Sequence, residues 1–283
     1  TIVGRPPQED SQFGALIHDI TDGIIPTEIP GLKAVNAVDE AGVHPLLLAI
    51  GSERYTPYEM IRRPQELLTI ANHILGKGQL SLAKYLFIVA QEDDANLDVQ
   101  NEYDFFQHLF SRVDWSRDLH FQTKTTMDTL DYSSTGEINE GSKVVCAAVG
   151  ERKRELCKDL SNLYIEEGLK PHLVMPGVLV LESDDVESVK SKLEYLELEG
   201  IALITIVDDA AFVAEDISNW LWVTFTRSNP AEDIFGLDEG IQNKHWHCRI
   251  PIIDARVKPH HAPAMHMPDE IVQLAYQKIN KVL

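Results

Sequence analysis

Phe110-Ser-Arg112-Val-Asp-Trp-Ser-Arg-Asp118 and Phe225-Thr-Arg227-Ser-Asn-Pro-Ala-Glu-Asp233 share one pattern, with both the arginines and the closing aspartates 115 positions apart. Spacing kept over that distance marks an internal repeat. An aromatic-rich amphipathic stretch precedes each copy, with Tyr103, Phe106 and Phe110 in one and Ile217, Trp220, Leu221 and Phe225 in the other. Upstream of each lies a short apolar run ending in acids: 85–89 before Glu92-Asp93-Asp94, and 203–207 before Asp208-Asp209. Runs apolar on both faces read as strands of a sheet covered on both sides by helices.

Working outward, each half reads strand, helix, strand, strand, helix, strand, helix. The first half places these at 1–4, 11–23, 33–37, 45–50, 57–76, 84–89 and 100–112. In the second, 143–147 is a strand. Residues 151–167 set Leu156, Leu160, Leu163 and Tyr164 at helical spacing, with Cys157 on the apolar face and Gly168 as the stop. A strand follows at 178–181, then a helix with a cap at Asp184, a buried stripe of Val186, Val189, Leu193 and Leu196, and its end at Gly200. The expected fold is α/β: a layered mixed β-sheet covered by helices, built from two tandem similar units. The division falls near 134–142, giving 1–138 and 139–283. The second unit closes in a helix from Pro268, whose Ile271, Leu274, Ala275 and Ile279 share a face that needs a partner.

Among 283 residues, 44% are hydrophobic and 25% charged, and the net charge is −20. Such a surface repels phosphate backbones, which argues against nucleic-acid binding. No apolar run approaches the roughly 20 residues of a membrane span. Cys146, Cys157 and Cys248 fit no zinc or disulfide framework, and free thiols point to a cytoplasmic protein. The opening Thr1-Ile-Val reads as a strand already under way, so the chain is expected to be a segment of a longer one.

No catalytic motif stands out. Ala147-Ala-Val-Gly150 has one glycine where a dinucleotide fingerprint uses three. His245 and His247 flank Trp246 and share one strand face, so together with His260, His261 and His266 they offer either a metal site or a hydrogen-bonded polar connection. The acids after the strands either face a ligand at the carboxyl rim or cap the next helices. Arg5 either grips an anionic group or pins Glu9 or Asp10. Thr123, Thr125, Thr126 and Thr129, before Asp131, either line a polar pocket or satisfy loop backbone.

Three segments resemble the UbiD family of decarboxylases: the opening TIVGRPPQED, the stretch GQLSLAKYLFIVAQEDD through FSRVDWSRDLHFQTKTTMDTLDYSS, and ITIVDDAAFVAEDISNWLWVTFTRSNPAEDIFGLDEG leading to KHWHCRIPIIDARVK. The resemblance implies removal of CO2 from an aromatic or α,β-unsaturated carboxylic acid, such as the polyprenyl-4-hydroxybenzoate of ubiquinone synthesis. It implies prenylated FMN with a divalent metal, bound mainly by an upstream flavin domain of the same polypeptide. No catalytic residue is then expected within this chain. Its contribution would be a wall of the active-site cleft, with Arg5, Glu9, Asp10, Thr125, Thr126 and Asp131 near substrate, and a homo-oligomer contact. A departure from the family pattern is that the motif-bearing stretch occurs twice. Two other readings stay open: a non-catalytic α/β binding or assembly module, and a metal-dependent enzyme using the His245–His266 cluster.

Overall fold

A computed structural model describes residue 16 and residues 24–42, 44–54, 61–137, 139–262 and 268–279. The strand expected at 1–4 and the helix at 11–23 lie outside the described residues, apart from the single helical position Leu16.

Two five-stranded mixed sheets form. The first contains β1 (Leu32–Ala37), β2 (Leu46–Gly51), β3 (Tyr85–Ala90), β4 (Leu119–Thr126) and β5 (Glu140–Ala148) in the order β1-β2-β3-β5-β4. The second contains β6 (His172–Met175), β7 (Val178–Glu182), β8 (Leu203–Val207), β9 (Ile234–Leu237) and β12 (Ile250–Asp254) in the order β6-β7-β8-β12-β9. A separate hairpin joins β10 (Gly240–Gln242) to β11 (His245–His247). In both sheets three central strands run parallel and each edge strand antiparallel. The repeat read from two arginines and two aspartates is therefore a repeat of topology.

The strand at 143–147 is real, but it belongs to the first sheet. β5 pairs with β3 in parallel and with β4 in antiparallel register, so a division at 138/139 would strip it from its partners. The sheets divide after Ala148.

Alternation along the strands explains the layering. Tyr85, Phe87 and Val89 of β3 face a central core, while Leu86, Ile88 and Ala90 face an outer one. Helix α1 (Gln65–Leu75) covers that outer face with Leu67, Ile70, Ala71 and Ile74. Helix α3 (Val186–Leu193) does the same for the second sheet with Val186, Val189 and Leu193. Its cap is Asp185, one residue beyond the expected Asp184; the Asp185 carboxylate accepts from the Glu187 and Ser188 amides.

The central core is shared. Helices α2 (Glu102–Arg112) and α5 (Ile217–Arg227), joined to β8 through α4 (Ala210–Glu215), bring Phe105, Phe106 and Phe110 against Trp220 and Phe225. Both α2 and α5 end on the repeated arginine, and the repeated aspartate closes the following turn. Asp118 Oδ2 accepts from the Asp114 amide at 2.8 Å, and Asp233 Oδ2 from the Asn229 amide at 2.6 Å. Contacts across the seam are reciprocal too: the Cys248 amide donates to Trp115 O, and the Ala231 amide to Ser142 Oγ. Equivalent surfaces of the two units face each other, as in an isologous dimer.

The helix expected at 151–167 does not form; only 3-10 turns occur, at Leu160–Asn162 and Glu167–Leu169. Residues 152–158 form no regular element between the two sheets. The Lys153 and Arg154 amides donate to Ser111 O, the Cys157 amide donates to Gly200 O, and Cys157 O accepts from the Gly177 amide. These long-range bonds satisfy the backbone groups that a helix would have satisfied internally. Cys157 is half-buried, with Sγ against Asp159 O. Gly200 lies well past the end of α3, in a turn at φ +75°, and a Cβ there would sit 2.5 Å from the Cys157 nitrogen. Because the obstacle is backbone and the conformation disfavours L side chains, Gly200→Ala is expected to destabilise by at least about 2 kcal/mol, read as a lower urea midpoint.

The terminal helix α6 (Asp269–Ile279) forms as expected. Its Ile271, Leu274 and Ile279 are about half exposed, so its apolar face is unpartnered among the described residues.

Candidate functional site at the seam between the units

Several buried polar groups meet at the seam. Lys84, just before β3, is 1% exposed; its Nζ lies 2.7 Å from Asp131 Oδ2 and 2.8 Å from Ser133 Oγ. From the second unit, Lys258 Nζ lies 3.2 Å from Asp233 Oδ1 and donates to Asp254 O and Arg227 O. The Tyr85 hydroxyl meets Ser228 Oγ at 2.7 Å, Ser228 Oγ donates to Thr224 O, and His260 Nε2 lies 3.2 Å from Ser133 O. Burial pushes the Lys84 amine down and Asp131 opposes it; burial pushes the Asp233 carboxyl up and Lys258 opposes it. Each ion pair lies within one unit, and the Tyr85–Ser228 and His260–Ser133 contacts join the units. The arrangement suits clamping rather than proton transfer, since each charged group already has its partner.

Of the residues expected near substrate, Arg5, Glu9 and Asp10 lie outside the described residues. Thr125 and Thr126 sit on the edge strand β4, and Asp131 is the partner of Lys84. The structure does not bring Asp131 to the two threonines through any described hydrogen bond. Lys84 and Lys258 lie within the quoted family-like segments, but their ion-pair partners Asp131 and Asp233 lie 47 and 25 positions away, so no local spacing marked the pairs.

The acids after the strands divide between roles. Asp209 caps α4 through the Phe212 amide. Glu92 instead accepts from Ser52 Oγ and the Glu53 amide, and Asp93 from the Gly150 amide and Arg62. They tie together the loops that leave the carboxyl ends of β2, β3 and β5.

His245 and His247 do share one face of β11, and His247 packs over Gly240. The neighbour of His245 is His120 of β4, ring centroids 5.0 Å apart, and neither Nε2 has a described hydrogen-bond partner. His266 lies outside the described residues. Burial, with His245 and Arg117 nearby, pushes His120 from 6.5 down to about 4. A histidine lowered in the folded state keeps its full stabilising contribution above 6.5. It loses that contribution as pH falls towards 4, because the unfolded chain takes the proton first. His120→Gln is therefore expected to lose less stability than the parent between pH 6.5 and 4, measured as urea midpoints across that window.

No group of three or more His, Cys, Asp or Glu among the described residues could hold a metal ion. An apolar space of about 20 Å³ between the sheets, lined by Tyr85, Phe110, Trp115, Leu203 and Ile253 among others, is far smaller than a ligand pocket of roughly 300 Å³ or more. This apolar space is too small for a flavin. Nor does any described helix have the length and apolarity to cross a membrane.

The fold and site together define a tandem α/β protein whose two units share one core. Residues 11–148 match the family described as the 3-octaprenyl-4-hydroxybenzoate carboxy-lyase C-terminal domain, the C-terminal domain of the UbiD family. The match ends at the last residue of β5. The chain is 32% identical over 267 residues to a Chlamydia pneumoniae protein named as a subunit of 4-hydroxybenzoate decarboxylase, covering 92% of this chain and 42% of that one. It is 31% identical over 272 residues to an uncharacterized protein of Chlamydia muridarum, covering 95% and 45%. The chain thus spans less than half the length of these curated relatives, and both units lie within the matched region. Among solved structures, vanillic acid decarboxylase of Sedimentibacter hydroxybenzoicus is 18% identical over 59% of this chain and 29% of its own, at a TM-score of 0.36. The 3,4-dihydroxybenzoic acid decarboxylase of Klebsiella pneumoniae is 16% identical over 55% and 33%, at 0.37.

Proposed function

We propose that this chain is the C-terminal part of a UbiD-like decarboxylase that removes CO2 from an aromatic acid of the 4-hydroxybenzoate class. The observation that carries this reading is the family match over 11–148, joined to relatives that align with nearly the whole chain yet extend to more than twice its length. Prenylated FMN and its divalent metal are held by an upstream domain. That cofactor supplies the carbon–carboxyl chemistry, and this chain supplies a rigid wall that orients substrate and excludes water. In this reading Arg5, Glu9, Asp10, Thr125 and Thr126 contribute to substrate binding, while Asp131 holds the loop after β4 through Lys84. The name of the Chlamydia pneumoniae relative supports the substrate class. The exposed apolar face of α6 supports a homo-oligomer contact, and the free cysteines a cytoplasmic location.

The absorption spectrum of the natural full-length product, made together with a flavin prenyltransferase, tests this. A flavin spectrum is expected there and not in residues 1–283 alone. A colourless full-length protein would overturn the reading.

A further inference from the structure

The connection that leaves β9 for β12 folds into the β10–β11 hairpin, a sheet of its own with three residues in each strand. An isolated two-stranded hairpin is marginally stable at best in water, so this one is held by what it rests on. It rests on the first unit. Trp246 meets Phe121 of β4 edge to face, ring centroids 5.4 Å apart, and His245 meets His120 at 5.0 Å. His120 and Phe121 are neighbours in a strand and project to opposite faces of its sheet. Their meeting with two neighbours on β11 lays the hairpin along the free edge of β4, the last strand of the first sheet. An uncovered edge offers unpaired backbone groups to any other strand.

The equivalent connection of the first unit, between β4 and β5, crosses the seam the other way and is fixed differently. Asp131 anchors it to Lys84, Ser133 O lies 3.2 Å from His260 Nε2, and Thr135 Oγ1 donates to Glu232 at 3.2 Å. Among the described residues no ion pair or hydrogen bond ties the hairpin to β4. Its ring contacts there are one apolar pair and one pair of imidazoles.

The imidazole pair is the part that responds to protons. Neither Nε2 has a described hydrogen-bond partner. The charged groups around the pair are cationic or already paired. Arg117 stands nearby, and the adjacent Asp118 spends its oxygens on Arg117 and the Asp114 amide. On β5, Lys143 lies two residues from Val145, the partner of His120 in register, and donates to Ser81 O and Ala83 O. Beside the hairpin, Glu239 pairs with Lys190 and Asp238 with Arg249. His247 packs over Gly240, while Lys124 on β4 and Lys244 in the turn add only positive charge. Burial, His245 and Arg117 hold His120 at about 4, against 6.5 for an exposed ring. Once the hairpin leaves, the ring regains water and its ordinary affinity for a proton, so proton uptake and departure drive each other.

We propose that the β10–β11 hairpin is a proton-released clasp on the edge of β4: it stays down while His120 is neutral and comes away when that ring is protonated, uncovering the strand edge while both sheets stay folded. The clasp does not depend on the decarboxylase reading.

Hydrogen exchange of residues 1–283, followed by mass spectrometry at pH 7 and pH 5 and corrected for the intrinsic pH dependence of amide exchange, tests this. Protection of 240–247 is expected to fall about 20-fold from pH 7 to pH 5, because each unit below 6.5 favours release about tenfold until the folded value is reached. Protection of β3 and β8 should stay as it was. His120→Gln takes up no proton and should make protection of 240–247 equal at the two pH values, which separates the ring from the carboxylates of Asp238 and Glu239. His120→Phe, which keeps a ring against His245, should behave alike. Protection of 240–247 that is equal at both pH values in the parent, that falls as far in both variants, or that is lost together with β3 and β8 would overturn the proposal.

Discussion

Asp131→Asn is expected to lower stability by about 3–5 kcal/mol, seen as a large fall in urea midpoint, because it leaves the Lys84 ammonium buried without its carboxylate. Lys84 is 1% exposed, and its remaining contact is the Ser133 hydroxyl at 2.8 Å. A hydroxyl cannot replace the opposite charge that offsets desolvation of an ammonium. Lys84→Met/Asp131→Leu removes both charges while keeping volume, and is expected to lie close to the parent or above it. A double variant as unstable as the single one would show that the cost arises from lost shape rather than from an unpaired charge.

Phe106→Ala is expected to cost about 3–5 kcal/mol, against a total stability of about 5–15 kcal/mol for a typical domain. The Phe106 ring lies 5.3 Å from Trp220, 5.3 Å from Phe110, 5.5 Å from Phe87 and 6.4 Å from Phe225, so its removal opens a cavity among rings of both units. Because those rings belong to one core, far-UV circular dichroism and tryptophan fluorescence should report one coincident transition in parent and variant alike. Separate transitions, with the first sheet lost before the second, would show that the units do not depend on each other.

What was legible in the sequence was local and repeated. β2, β3 and β8 are apolar on both faces because helices cover both sides of each sheet, and that leaves an unbroken hydrophobic run. The Arg112–Asp118 and Arg227–Asp233 spacing could be read because each aspartate binds an amide only four residues upstream. What was not legible depended on distant partners. Leu156, Leu160 and Leu163 have helical spacing, yet the backbone from Lys153 to Cys157 bonds to Ser111, Gly177 and Gly200 instead of to itself. β5 was assigned to the second unit because its neighbours along the chain lie there, while its neighbours across the sheet, β3 and β4, come earlier. The Lys84–Asp131 and Lys258–Asp233 pairs, and the approach of His120 to His245, join positions that carry no shared spacing.

The most direct measurement is release of CO2 from 4-hydroxybenzoate by the natural full-length product supplied with prenylated FMN and a divalent metal, run beside residues 1–283 supplied with the same. Turnover by the full-length product and none by residues 1–283 is the predicted result. Turnover by residues 1–283 alone, or a cofactor-loaded full-length product inert toward 4-hydroxybenzoate and related aromatic acids, would contradict the account.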